Sequence, residues 1–151
     1  MALAQQVNNI YPLKNFNNIK DNIQISKVVQ YFENCGYSVP KTTIQNYSRT
    51  KTISELFQKR YYSKQNILEI YFTINFKDFF TLDEIKKINE HIFEMPYTSQ
   101  EIYNIFIDIY TNFNIISYDE DIVNENLDFF YNLVSMYLSK KKTLVSLNNK
   151  N

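Results

Sequence analysis

The sequence predicts a mainly α-helical protein: a small helix-turn-helix head with a basic wing, followed by a C-terminal helical hairpin or bundle. Three observations carry this expectation. Apolar residues recur at helical spacing in several separate segments. Gly occurs once and Pro three times in 151 residues, too few for the many turns of an all-β domain. One stretch, 25–62, reads as helix, turn, helix and hairpin in succession.

In order along the chain, residues 1–22 are Asn-rich and weakly periodic, and are expected to form an N-terminal arm or one loosely packed turn. A first helix is expected over about Gln24 to Asn34, with Ile25, Val28, Val29 and Phe32 on its apolar face. Gly36 follows where a left-handed residue closes a helix. Pro40 fits the first turn of a second helix, about Lys41 to Thr50, with Thr42 or Thr43 as capping hydroxyls. Lys51 to Tyr62 alternates in β fashion over too short a span for a sheet, which predicts a two-stranded wing.

Ser63 then caps a helix reaching about Lys77, with Ile67, Ile70, Tyr71 and Ile74 on one face. Thr81-Leu82-Asp83-Glu84 is a capping box opening a helix that ends near Glu94. Pro96 breaks the chain, and Ser99 starts a helix carrying Ile102, Ile105, Phe106, Ile109 and Phe113. A last helix, about Asp121 to Lys142, carries Val123, Leu127, Phe130, Val134 and Tyr137 and ends on Lys140-Lys141-Lys142, which complement its dipole. The expected organisation is therefore an arm over 1–22, a head over 23–95, a helical dimerisation or interaction region over 96–142 and a flexible tail over 143–151.

A formal net charge of zero conceals a strong asymmetry. From Lys14 to Lys64 nine basic residues face three acids, a balance of +6. From Gln65 to Ser139 three basic residues face thirteen acids, a balance of −10. The basic half suits a polyanion and the acidic half does not, so the halves are expected to serve different partners. No apolar run reaches the ~18 residues of a membrane helix, and the start lacks the pattern of a signal peptide. A cytoplasmic protein is expected, and the lone Cys35, unable to form an internal disulfide, agrees.

Four elements, Ile25-Ser26-Lys27-Val28-Val29, Lys41-Thr42-Thr43-Ile44-Gln45-Asn46-Tyr47, Lys59-Arg60-Tyr61-Tyr62-Ser63 and Phe80-Thr81-Leu82-Asp83-Glu84-Ile85, occur in an order and spacing that resemble the winged-helix head of MerR-type regulators. They are closer still to an uncharacterised Firmicute family with a MerR-like head, whose members share the elements "KT-x-I-Q-N-Y" and "R-x-Y-S". The resemblance spans about residues 23–93. It implies a reading helix in the major groove bearing Thr42, Thr43, Gln45, Asn46, Tyr47 and Arg49, and a wing that meets the DNA backbone through Arg60 and Tyr62. Gln45 and Asn46 replace the usual Arg-Tyr pair of the pattern, and the wing lacks its usual glycines.

The residue types agree with that role. Gln and Asn can hydrogen-bond an adenine edge through two atoms, and Thr offers a hydroxyl and a methyl. Lys41, Arg49, Lys51, Lys59 and Arg60 can neutralise phosphates without reading sequence. The competing reading is structural: Ile44 and Tyr47 pack the core while Gln45 and Asn46 face water.

Signals for catalysis are poor, and no enzyme, cofactor or metal site is expected. His91 is the only histidine, Cys35 the only cysteine, and the two make no zinc site. One glycine builds no phosphate cradle. Asp119-Glu120-Asp121 beside a helix start reads as capping rather than cation binding.

In the acidic half, Tyr110, Phe113 and Tyr118 lie near the helix junction, and no sustained heptad is present. A helical hairpin packing on itself or on its twin is expected, and a two-fold dimer would double a DNA contact that is small for one head. Two functions follow. The first is a sequence-specific transcriptional regulator that binds double-stranded DNA as a homodimer. The second is a phage- or sporulation-type adaptor that uses the scaffold without specific DNA binding and grips a protein partner through its acidic helices.

Overall fold

A computed structural model describes residues 9–113 and 124–149. The chain divides into two compact units, one formed by Ile10–Gln100 and the other by Met1–Asn9 with Glu101–Asn151. Six α-helices occur among the described residues, joined by loops and one 3-10 turn at Phe16–Asn18. They are α1 (Ile25–Asn34), α2 (Lys41–Arg49), α3 (Lys64–Phe76), α4 (Leu82–Phe93), α5 (Ser99–Thr111) and α6 (Glu125–Asn149). The protein is mainly helical, in line with its few Gly and Pro residues. No named strand occurs among the described residues; the β contacts are two isolated bridges.

In the first unit α1 packs against α2, and α3 against α4. The local signals explain the boundaries. α1 ends in a Schellman motif: Tyr37 N–H donates to the Phe32 carbonyl at 2.8 Å and Gly36 N–H to the Glu33 carbonyl at 3.0 Å. Gly36 sits at φ 96°, a left-handed conformation that glycine adopts at no steric cost. Ser63 caps α3 in a reciprocal box with Asn66, and Thr81 does the same for α4 with Glu84. Pro40 precedes α2 in extended conformation, and no side chain caps that helix, so Thr42 and Thr43 are not its caps.

α3 departs from the expected one-sided helix. Ten of its thirteen residues are buried, among them Leu68, Phe72 and Phe76, while Ile74 is only half-buried. A helix enclosed on all sides is the centre of its unit, and its polar groups must find partners inside. Thr73 Oγ1 donates to the Glu69 carbonyl, Asn75 Nδ2 to the Tyr71 carbonyl, and Asn66 Nδ2 to the Ser54 carbonyl.

Residues 10–22 are not an arm. Ile10, Leu13 and Phe16 are buried, and backbone groups of this segment are held from the helices. Tyr71 Oη donates to the Tyr11 carbonyl at 2.7 Å, and Tyr31 Oη to the Lys14 carbonyl at 2.9 Å. The Tyr37 hydroxyl lies 2.7 Å from Tyr11 N, 2.9 Å from Tyr11 O and 3.2 Å from Asn75 Oδ1. Burial pushes its pKa up to about 12, against the opposing effect of those hydrogen bonds.

In the second unit α5 and α6 bring together Tyr110 with Tyr137 and Phe113 with Tyr131, at centroid distances of 6.1 and 4.9 Å. Phe130, Leu133, Val134 and Tyr137 are buried along α6, whereas Leu127, Met136 and Leu147 are exposed. The helix runs on to Asn149, so Lys140–Lys142 lie within it rather than at its end, and 143–149 is helical instead of a tail. Lys141 Nζ donates to Asn9 Oδ1, and partial burial lowers its pKa. Tyr118, Asp119-Glu120-Asp121 and Val123 lie outside the described residues.

Candidate nucleic-acid interface

α2 is a surface helix seated by two side chains. Ile44 and Tyr47, one turn apart, are buried, and they are the only buried residues of its nine. On the opposite face Lys41, Thr42, Gln45 and Arg49 are exposed, at the i, i+1, i+4 and i+8 positions of a single stripe. Thr43 and Asn46 are half-buried, and Asn46 Oδ1 accepts from the Arg49 guanidinium. No acidic residue occurs on this helix.

A second Schellman motif ends α2. Thr52 N–H donates to the Tyr47 carbonyl at 2.9 Å and Lys51 N–H to the Ser48 carbonyl at 3.1 Å. Here the left-handed position is filled by Lys51 at φ 60°, which keeps its ammonium exposed beyond the end of the helix.

The loop that follows is pinned by a carboxylate. Glu69, buried on α3, accepts from Ser54 N–H at 3.0 Å, from Ser54 Oγ at 2.7 Å and from Asn66 Nδ2 at 3.1 Å. Desolvation raises its pKa, and the Ser54 and Asn66 donors oppose that rise. From α4, Asn89 Nδ2 donates to the Thr52 carbonyl at 3.0 Å, while its buried Oδ1 has no partner. A cavity of about 730 Å³ opens beside this loop, with Ser48, Lys51, Lys59, Glu69 and Asn89 among its lining residues. It places the end of α2 and the next turn around one opening.

That turn replaces the expected two-stranded wing. Phe57 and Tyr61 form a single antiparallel bridge, with Phe57 N–H to the Tyr61 carbonyl at 3.1 Å and the reverse bond at 2.9 Å. Gln58 and Lys59 stand at φ 50° and 61°, the geometry of a type I′ turn built without Gly or Asn. Each left-handed residue of this kind costs on the order of 1–2 kcal/mol. Five residues are too few for a ladder, so the wing shrinks to a tight hairpin. Lys59 and Arg60 are exposed on it, and the Arg60 guanidinium lies 4.7 Å from the Tyr61 ring centroid. A second bridge, Ile23 to Tyr62, closes the segment from α1 to the hairpin, with bonds of 3.0 and 2.9 Å.

The candidate contact residues therefore divide. Lys41, Thr42, Gln45, Arg49, Lys51, Lys59 and Arg60 are exposed, and Thr43 and Asn46 partly so. Tyr47 and Tyr62 are buried, and burial raises the pKa of both hydroxyls. These two belong to the core and are withdrawn as DNA contacts. Glu69 and Asn89, which position the loop, escaped the sequence reading. The Glu within the apolar run 67–72 was the available signal, since a carboxylate there must be buried with donors.

Fold and surface together define a mainly helical domain that presents one short, acid-free helix and a basic hairpin at its side. The chain belongs to the family described as Domain of unknown function (DUF1836), whose profile matches residues 13–113. The match takes in the 13–22 segment, all of the first unit that follows, and α5. No curated protein and no solved structure is matched by the chain.

Proposed function

We propose that the protein is a sequence-specific, DNA-binding transcriptional regulator, with a MerR-like head whose wing is reduced to the 57–61 hairpin. The observation that supports this most is the division of α2. Its buried Ile44 and Tyr47 fix the helix, leaving Lys41, Thr42, Gln45 and Arg49 as one solvent-facing stripe continued by Lys51, Lys59 and Arg60. In this reading Gln45, with Thr42 beside it, meets base edges in the major groove. The five cations hold phosphates, which positions the helix without selecting a sequence.

Anisotropy with AT-rich duplexes across a salt series tests the reading. Arg60→Ala should weaken binding to every duplex and reduce the salt slope by about one unit. Gln45→Ala should cost roughly 1–3 kcal/mol on the preferred site and much less on random DNA. Wild-type levels of binding by both variants, with the fold intact, would exclude α2 as a reader.

The second unit supplies the pairing of two heads in this reading. The exposed Met136 and Leu147 of α6, eleven residues apart and so nearly in line on the helix, offer a face to a second copy. A two-fold dimer is expected at tens of micromolar by sedimentation without DNA. A monomer that also ignores duplex DNA would favour the adaptor, with the same face taken by another protein.

A further inference from the structure

We infer that Phe57 is a stacking wedge, set against a base step of the duplex that α2 engages. The inference rests on the DNA-reading proposal and adds a contact of a different kind, apolar and deforming rather than hydrogen-bonded.

All twelve phenylalanines of the chain fall among the described residues, and Phe57 alone is exposed, at 54%. The other eleven are buried or half-buried, so the fold had the means to cover this ring and does not. Its backbone is tied into the turn: two reciprocal bonds with Tyr61 join its sides, and Arg60 N–H donates to the Phe57 carbonyl at 3.1 Å. The ring is therefore presented, with Tyr61 behind it at a centroid distance of 6.4 Å and an interplanar angle of 38°.

The surroundings indicate what occupies it. Lys59 and Arg60 follow at once, and no acid occurs from Leu56 to Leu68. Lys59 lines one cavity with Ser48 and Lys51, which brings the hairpin to the C-terminal end of α2; the acids of that lining, Glu55, Glu69, Glu90 and Glu94, lie on the cavity side, and Lys59 and Arg60 are exposed. An exposed aromatic ring followed by two exposed cations complements a nucleotide, whose base stacks while its phosphate takes the charge. On a duplex the same pairing works as a wedge: an apolar ring enters between base pairs from the minor groove, unstacks one step and kinks the helix axis. A protein surface would gain from Phe57 but would have to desolvate Lys59 and Arg60, which favours the nucleic acid.

The test uses the full chain and a short AT-rich duplex recovered by binding selection, with dyes at its two ends to report bending and 2-aminopurine at successive steps to report unstacking. Wild type should shorten the end-to-end distance and brighten 2-aminopurine at one step per head. Phe57→Ala should lose that fluorescence signal, relax the bend and bind roughly tenfold more weakly, with an unchanged salt slope because its phosphate contacts remain. Phe57→Leu, which keeps an apolar wedge, should retain most of the bend. Arg60→Ala should show the opposite pattern, a lower slope with the unstacking signal kept in the bound state. Thermal melting of each variant checks the fold. If Phe57→Ala binds, bends and unstacks like wild type, the wedge is overturned while the DNA reading stands, and a protein partner inherits the ring. If wild type binds no duplex, both fall together.

Discussion

α2 and α3 belong to one compact unit and are built on opposite plans. α3 buries ten of its thirteen residues and carries the unit's internal hydrogen-bond network. α2 buries two of nine, Ile44 and Tyr47, and leaves the rest exposed or half-buried. Change in α3 alters the fold. Change in the outer stripe of α2 alters only what the fold presents. A domain divided in this way can vary what it binds without retuning its stability, because the two properties depend on different helices.

The largest expected effect breaks the α3 side. Phe72 is fully buried and stacks with Phe76 at 5.9 Å, so Phe72→Ala should destabilise the protein by about 3–5 kcal/mol. Urea unfolding at constant m value would measure it, and a loss below about 1 kcal/mol would mean that the site is not core.

Glu69 comes next. Glu69→Ala leaves the Ser54 amide and hydroxyl without their acceptor and takes one of two acceptors from Asn66 Nδ2, which keeps the Ser54 carbonyl, a loss of about 1–3 kcal/mol. The raised folded-state pKa also fixes a sign. The folded protein holds this proton more tightly than the unfolded chain, so the carboxylate's contribution to stability falls as pH rises from the ordinary carboxylate range, near 4.3, through its raised value. Glu69→Gln should flatten that part of the stability–pH curve, and an unchanged curve would show that Glu69 ionises normally.

Gly36 is smaller again. A Cβ there would stand 3.3 Å from the Tyr11 ring, on a backbone at φ 96°, so Gly36→Ala should cost about 1–2 kcal/mol, read from the melting temperature. At the other end of the scale, Gln45→Ala should leave stability within about 0.5 kcal/mol while lowering affinity for the preferred duplex. A large stability loss at Gln45 would end the separation of the two helices.

Ser63, Thr81 and Gly36 were legible because capping is local: the side chain or the missing Cβ acts within one turn of its own position. The enclosure of α3 was harder to read, since Ile67, Ile70 and Tyr71 line one face while Leu68 and Phe72 complete the ring, and periodicity reports only a contrast between faces. The type I′ turn was hidden because Gln58 and Lys59 are not the residues that such a turn usually takes. On the candidate surface, Thr42, Gln45 and Arg49 come from the resemblance and Lys41, Lys51 and Lys59 from their charge, and all six are exposed. Tyr47 and Tyr62 were misplaced because the resemblance carries positions along a motif and not the face each side chain occupies; the three-residue step from Ile44 to Tyr47 was the better guide. The extension of α6 to Asn149 was missed because three lysines look like a terminus, although Leu144 and Val145 beyond them are half-buried.

Cys35 offers an unplanned instrument. It is the chain's one cysteine, buried behind the 10–22 segment, and its sulfur accepts the Lys14 N–H at 3.3 Å. Its reaction with a thiol reagent requires the buried sulfur to become exposed, which lifting of that segment would accomplish. Wild-type protein therefore needs no engineered label: the rate at which its single thiol reacts is a clock for the opening of one contact, and timing it with and without added duplex would show whether that contact tightens.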